Sequence, residues 1–347
     1  MSTVAYIFPG QGSQAVGMGR VLAEASPAAA AVFAAADEAL DEHISQLAWE
    51  GPAEQLDLTV NAQPALLATS IAYLRAIDER QAAQGLPPIA PAFYAGHSMG
   101  QYSAMVAAGV LSLEDGVRLV RERGHQMQAS AEGRPGAMAA IIGLPDERLG
   151  DLVAAGAAHG TFGVANRNSP GQVVVSGVRE AVAAAADAAR SLGAKRAIVL
   201  PVSVAAHSPL MAAAAVGMRA ALAPVAFAEP AAPLLANADA RPLRTGEACR
   251  AELVDHLTSG VDWVAAIETM TTAGVTVFVE VGPGRVLAGL VKRIAPEATI
   301  LATDDPAAPG GLAAIDLPGD PALPADLLVD LPGDPAGPAG PDPSPTG

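Results

Sequence analysis

The chain has 347 residues, enough to bury one large or two modest cores, and is 51% apolar but only 3% aromatic, so its interior is aliphatic and alanine-rich. A formal net charge of −16 excludes a nucleic-acid binder built on a basic stripe and disfavours adhesion to anionic membranes. A single cysteine, Cys249, rules out an intramolecular disulfide and points to a reducing cytoplasm; set near Glu247 and Arg250 with no motif around it, it reads as a bystander.

The first residues lack the basic and long apolar regions of a signal peptide and predict a strand over 4–8. No apolar run is long enough to span a membrane. A glycine-rich element follows, Phe8-Pro9-Gly10-Gln11-Gly12-Ser13-Gln14. It lacks the Gly-Lys-Ser/Thr of a phosphate loop and reads either as a source of an oxyanion donor or as a plain strand-to-helix turn. Helices are predicted over 19–40 and 64–84, then a strand over 93–95. Next comes Gly96-His97-Ser98-Met99-Gly100, with a helix predicted over 100–108. Strand, G-x-S-x-G and helix in that order form a nucleophile elbow. Its glycines are required because a Cβ on either side of the sharp turn would clash, and the helix start favours negative charge developing near Ser98.

A helix over 113–129 leads into a segment with its own rhythm: strand 137–142, helix 146–158, strand 164–165, strand 172–176, helix 179–192 and strand 196–201. This β-α-β-β-α-β order predicts a small ferredoxin-like subdomain over 133–206 inserted into an α/β body of 1–132 and 207–302. Helices over 209–222 and 263–273 and a strand over 275–281 complete the body. From Pro306 on there are 11 prolines in 42 residues, no Lys or Arg, and a repeated Asp-Leu-Pro-Gly-Asp-Pro-Ala. Residues 303–347 therefore read as a disordered acidic tail, or as a short recognition motif.

Ser98 needs a base. Of six histidines, His43 and His159 lie in polar segments and His97 lies in the elbow itself. His207, after a buried strand and just before a helix, is placed to reach a cleft; it reads as a general base or as a satisfied structural histidine. As a base it is expected to titrate near neutrality.

Together Phe8–Gln14, Gly96–Gly100, Asn166-Arg167-Asn168-Ser169-Pro170-Gly171-Gln172-Val173-Val174, His207-Ser208-Pro209-Leu210-Met211 and Val279-Glu280-Val281-Gly282-Pro283-Gly284 resemble, in order, the motifs of malonyl-CoA:acyl-carrier-protein transacylases. The resemblance covers residues 3 to 302 and extends to polyketide-synthase acyltransferase domains. It implies an α/β-hydrolase-like core, Ser98 as acyl nucleophile, His207 as base, and the backbone N–H groups of Gln11 and Met99 as oxyanion hole. It implies Arg123 as the grip on the malonyl carboxylate, with Met127, Asn166 and His97 in the same substrate pocket. A guanidinium fork suits a carboxylate, and Arg121, two residues away on the helix, cannot share its face. The resemblance further implies that a backbone carbonyl orients His207, at His256 where the family more often has Gln. Gly260 stands for a commoner Pro and Gln101 for a commoner Glu.

The implied partners are malonyl-CoA and acyl carrier protein, with no cofactor, no metal, no nucleic acid, no membrane, and a cytoplasmic monomer. Carrier proteins are acidic, so docking calls for a local basic patch. Candidates are Lys195, Arg196 and Arg285, with Arg167, Lys292 and Arg293. Two other classes compete: a serine hydrolase, which would not need Arg123 and would usually carry an acidic residue behind its His, and a non-catalytic carrier-binding domain, which would not need Ser98 and His207.

Overall fold

The computed structural model describes residues 3–132, 136–202 and 204–304. In chain order these form β1 (Val4–Phe8), α1 (Arg20–Ala25), α2 (Pro27–Leu40), α3 (Ile44–Glu50), α4 (Ala53–Leu56), α5 (Thr59–Ala83), β2 (Phe93–Gly96), α6 (Gly100–Ala107) and α7 (Leu113–Ala131). There follow β3 (Gly136–Ile142), α8 (Leu149–Ala157), β4 (Phe162–Ser169), β5 (Gln172–Val178), α9 (Arg179–Ser191) and β6 (Arg196–Val199). The chain continues through α10 (Ala212–Leu222), β7 (Leu234–Leu235), β8 (Pro242–Leu243), α11 (Gly246–Asp255), β9 (Val261–Asp262), α12 (Trp263–Thr272), β10 (Val277–Glu280), α13 (Val286–Ile294) and β11 (Thr299–Ala302).

The larger sheet runs β11-β10-β1-β2-β7-β8 and is parallel except for the β7–β8 pair. All five residues of β1 are buried because both faces are covered, as parallel sheets require. Val4, Tyr6 and Phe8 enter a core shared with α2, α5, α6, α7, α10 and α11, while Ala5 and Ile7 face α12 and α13. The alternation is the period of two of a strand.

The smaller sheet runs β6-β3-β5-β4-β9. Its first four strands are antiparallel and carry α8 and α9 on one face over Ala139, Ile141, Val173 and Val175. This is the ferredoxin-like arrangement. The fifth strand comes from outside it: β9 pairs parallel with β4 at Asn166↔Val261 and Arg167↔Asp262. The fold is α/β, a hydrolase-like parallel core joined to a ferredoxin-like sheet.

Several elements differ from the sequence reading. The helix expected over 19–40 breaks at Ser26, whose side chain caps α2 with Pro27 as its first residue, the position where a missing N–H is harmless. α5 starts five residues before the expected 64 and tolerates Pro64 near its start. Thr303 and Asp304 belong to the packed body and not to the tail. Thr303 is fully buried and its hydroxyl bonds Gly282, while Asp304 accepts from Tyr73 Oη at 2.7 Å and from the Gly284 N–H at 2.8 Å. The remainder of the expected tail, 305–347, lies outside the described residues. Cys249 is buried, and burial raises its thiol to about 12, which keeps it an inert core residue.

Candidate active site

The site lies past the carboxyl ends of β1 and β2, where open parallel sheets place their ligands. β2 delivers Ser98 through a turn so tight that a Cβ on Gly96 would fall 2.0 Å from the Gly100 carbonyl carbon, and one on Gly100 would fall 2.2 Å from Phe8 O. Ser98 itself has φ +54°, a left-handed backbone that an L-residue adopts only under constraint. The loop after β1 is held against the elbow by the His97 N–H, which donates to Phe8 O at 3.0 Å. This brings Gln11 and Met99 onto adjoining loops, Met99 directly before α6.

Ser98 Oγ lies 2.8 Å from His207 Nε2 and 3.0 Å from Arg123 Nη2. On its other side, His207 Nδ1 lies 2.7 Å from His256 O and 3.2 Å from Ser259 O. Carbonyls only accept, so Nδ1 carries the proton and Nε2 keeps its lone pair for the Ser98 hydroxyl. Among the described residues no carboxylate stands behind this histidine; backbone oxygens do the orienting, whatever side chain the residue bears. The substitution of His for the commoner Gln at 256 therefore leaves the acceptor in place.

Burial lowers the His207 pKa to about 3, with the nearby Arg123 charge adding to the shift and the His256 carbonyl opposing it. The imidazole is thus neutral at physiological pH and does not titrate near neutrality as an exposed one would. The sequence-based expectation of a neutral-range titration is corrected by this enclosure.

Arg123, on α7, is 2% exposed. Its Nη1 donates to Gln63 Oε1 at 2.8 Å, its Nη2 to Ser98, and its Nε has no hydrogen-bond partner. Among the described residues no carboxylate pairs with it. A desolvated guanidinium without a counter-charge, touching the nucleophile, is a site for an anion carried by the acylating group. Arg121 turns elsewhere, to Glu42 and Asn61. Met127, buried one helical turn from Arg123, sits 3.8 Å by its sulfur from Gln63 Nε2.

His97 is committed to the protein: its Nε2 lies 2.9 Å from Asn168 Oδ1 and its ring packs edge-on against Trp263. Asn166 lies buried on β4, between two register shifts of that strand. Lys195, Arg196, Arg285, Lys292 and Arg293 are exposed, whereas Arg167 is ion-paired to Asp262 at 2.7 Å. Arg293 donates to Gln172, which pairs across the sheet with Ile142, itself opposite Arg196. His43, His125 and His159 are exposed and take no part in the site. No cluster of three or more metal-ligating side chains occurs among the described residues.

Four participants escaped the sequence reading as site residues. Gln63 holds Arg123. Gln101 accepts from the Gly96 N–H at 3.1 Å and donates to Leu235 O at 2.9 Å, bracing the elbow as a neutral amide. Asn237, just after β7, bonds the elbow through its side chain, and Glu252 on α11 accepts from the Asn237 N–H. Only Gln101 left a trace, as a departure from the family pattern just after the elbow motif.

The geometry is that of an acyl-transferring serine enzyme, and comparison with known proteins agrees. The acyl transferase domain family matches residues 5–303, and the chain belongs to that family. It is 43% identical over 307 residues to a malonyl CoA-acyl carrier protein transacylase of Bacillus subtilis, covering 88% of this chain and 95% of the relative. An acyl-carrier-protein S-malonyltransferase from Bartonella henselae superposes with a TM-score of 0.83 at 42% identity, covering 88% of this chain and 96% of that one. A malonyl-transacylase solved in complex with a type II polyketide-synthase acyl-carrier protein gives a TM-score of 0.83 at 40% identity, covering 91% and 99%.

Proposed function

We propose that this chain transfers the malonyl group of malonyl-CoA to the phosphopantetheine thiol of acyl carrier protein, supplying extender units for fatty-acid synthesis. Ser98 gives its proton to His207 Nε2 as Oγ adds to the thioester carbonyl. The tetrahedral oxyanion is held by the N–H groups of Gln11 and Met99. Collapse breaks the C–S bond, and the departing CoA thiolate takes the proton from His207. The carrier thiol then repeats the sequence in reverse on the malonyl-Ser98 ester, returning the proton to Oγ. Arg123 holds the malonyl carboxylate throughout, and Met127 and Asn166 line the acyl pocket. His97 supports the pocket through Asn168.

The observation that carries this reading is the contact of Ser98 Oγ with both a neutral imidazole and a buried guanidinium that lacks a carboxylate. A simple esterase has no use for the second. The chemistry draws on no cofactor or metal. A reducing cytoplasm fits the single buried cysteine; among the described residues no helix is long and apolar enough to cross a membrane. The segment 133–206 and the body of 1–132 with 207–302 would form the two walls of the cleft. Lys195, Arg196 and Arg285, with Lys292 and Arg293, would steer an acidic carrier. The solved complex of a relative at 40% identity favours a second carrier, that of a polyketide assembly line.

The test is intact-protein mass spectrometry after brief exposure to malonyl-CoA, then to carrier protein. A malonyl adduct that forms on the wild type, is absent from Ser98→Ala, and moves to the carrier thiol is expected. An adduct of undiminished yield on the Ala variant, or one lost to water faster than to the carrier, would overturn the reading.

A further inference from the structure

Asn237 follows β7, and three of its hydrogen bonds tie it to the elbow and to α11. Its Oδ1 accepts the Ser98 N–H at 2.9 Å, its Nδ2 donates to Gly96 O at 2.9 Å, and its own backbone N–H donates to Glu252 Oε1 at 2.7 Å. Glu252 lies on α11 and is 2% exposed. One turn further on, at the end of the same helix, His256 presents the carbonyl that orients His207. The contacts therefore close a circuit. It runs from the Ser98 N–H through Asn237 and Glu252 to α11, then through the His256 carbonyl to His207, and back to Ser98 Oγ.

We propose that Asn237 and Glu252 are positioning residues that register the nucleophile and the base against each other through α11. The inference rests on Ser98 and His207 being the reacting pair. The left-handed backbone of Ser98 keeps its N–H out of any strand ladder. Asn237 Oδ1 meets that N–H and so holds the one conformation in which Oγ reaches His207. A carboxyl is an unfavourable group to bury. Here the carboxyl accepts a hydrogen bond from the backbone of the residue that grips the elbow. His256 Nδ1 stands 3.9 Å from it, too far for a hydrogen bond. Glu252 thus works as an acceptor that fixes Asn237 relative to α11. With the link cut, the elbow and the helix still fold, but the serine and histidine lose their common reference. Displacements of this kind are enough to slow a positioned reaction by about 10²-fold.

The experiment measures single-turnover malonylation, KM for malonyl-CoA and thermal melting on full-length Glu252→Ala, Glu252→Gln, Asn237→Ala and Ser98→Ala. Glu252→Ala and Asn237→Ala should slow acylation by about 10-fold or more with KM within about 2-fold. Glu252→Gln, whose amide oxygen can still accept, should recover to within about 3-fold of wild type. Wild-type acylation by Asn237→Ala, equal slowing by Gln and Ala at 252, or a loss confined to KM would overturn the proposal. Should Glu252→Ala fail to fold, the Asn237→Ala and Glu252→Gln rates decide alone. An adduct that survives Ser98→Ala removes the underlying assignment, and the linkage with it, and is distinguished from failure of the linkage by that variant.

Discussion

Replacing Arg123 by Ala separates recognition of the malonyl carboxylate from the chemistry at Ser98. In the free protein the guanidinium is buried, shares one hydrogen bond with Gln63 and one with Ser98, and faces no carboxylate among the described residues. When malonyl-CoA binds, its free carboxylate becomes the missing counter-charge. Breaking a buried ion pair costs about 3 kcal/mol at the lower end of measured values, which is a factor of about 10² in kcat/KM. The lost bond to Gln63, about 1–3 kcal/mol for a buried acceptor left unmet, burdens malonyl and acetyl thioesters alike and cancels in their ratio. The ratio of kcat/KM for malonyl-CoA over acetyl-CoA should therefore fall by about 10²-fold. Lys at this position should recover only part, since a point charge does not reproduce the fork. Arg123→Met should melt no lower than wild type, because it removes a desolvated cation worth several kcal/mol against folding. The assay is a side-by-side kinetic comparison of the two thioesters with melting curves. Equal losses for both substrates, with a steep drop in melting temperature, would refute the reasoning and make Arg123 structural.

With His207 lowered to about 3, kcat/KM for acylation should stay level from about pH 8 down to about pH 5; a half-fall near the ordinary imidazole value would show that the ring is not enclosed. The same depression means that the unfolded chain takes up a proton that the folded site refuses. The His207 contribution to stability is thus complete above about pH 6.5 and is lost as pH falls towards about 3, which a pH series of denaturant melts can follow. A chain ending at Ala302 should melt several degrees below one ending at Asp304, since only the latter keeps the Thr303 and Asp304 bonds to Gly282, Gly284 and Tyr73; equal melting would show those contacts to be idle. Charge reversal at Lys195 and Arg196 should raise KM for an acidic carrier and flatten its salt dependence while leaving malonylation by CoA unchanged, and an unaltered salt slope would place docking elsewhere.

How far the site was legible depended on what kind of constraint each part imposes. The elbow was readable because forbidden Cβ positions force glycine at 96 and 100, and a backbone constraint of that kind always marks the sequence. The hydrophobic rhythm placed β1 at its observed limits and α9 to within one residue. β7, β8 and β9 were missed because two residues carry no periodicity. The acceptors behind His207 are carbonyls, which every residue possesses, so nothing in residue type announces them. Asn237 and Glu252 escaped because their roles are defined by contacts: Asn237 meets Ser98 across 139 residues and Gly96 across 141. The pKa of His207 was misjudged for the same reason, since enclosure is a property of the assembled walls.

The parallel pairing of β9 with β4 gives those walls a shared seam. Two residues of the body lie in the sheet of the smaller lobe, Arg167 bridges to Asp262, and the Asp262 N–H donates to Asn237 O at 2.7 Å. Parting the two sheets would therefore break a strand pair and an ion pair, and the Asp262 backbone that would move with them is bonded to the residue whose side chain meets the Ser98 N–H.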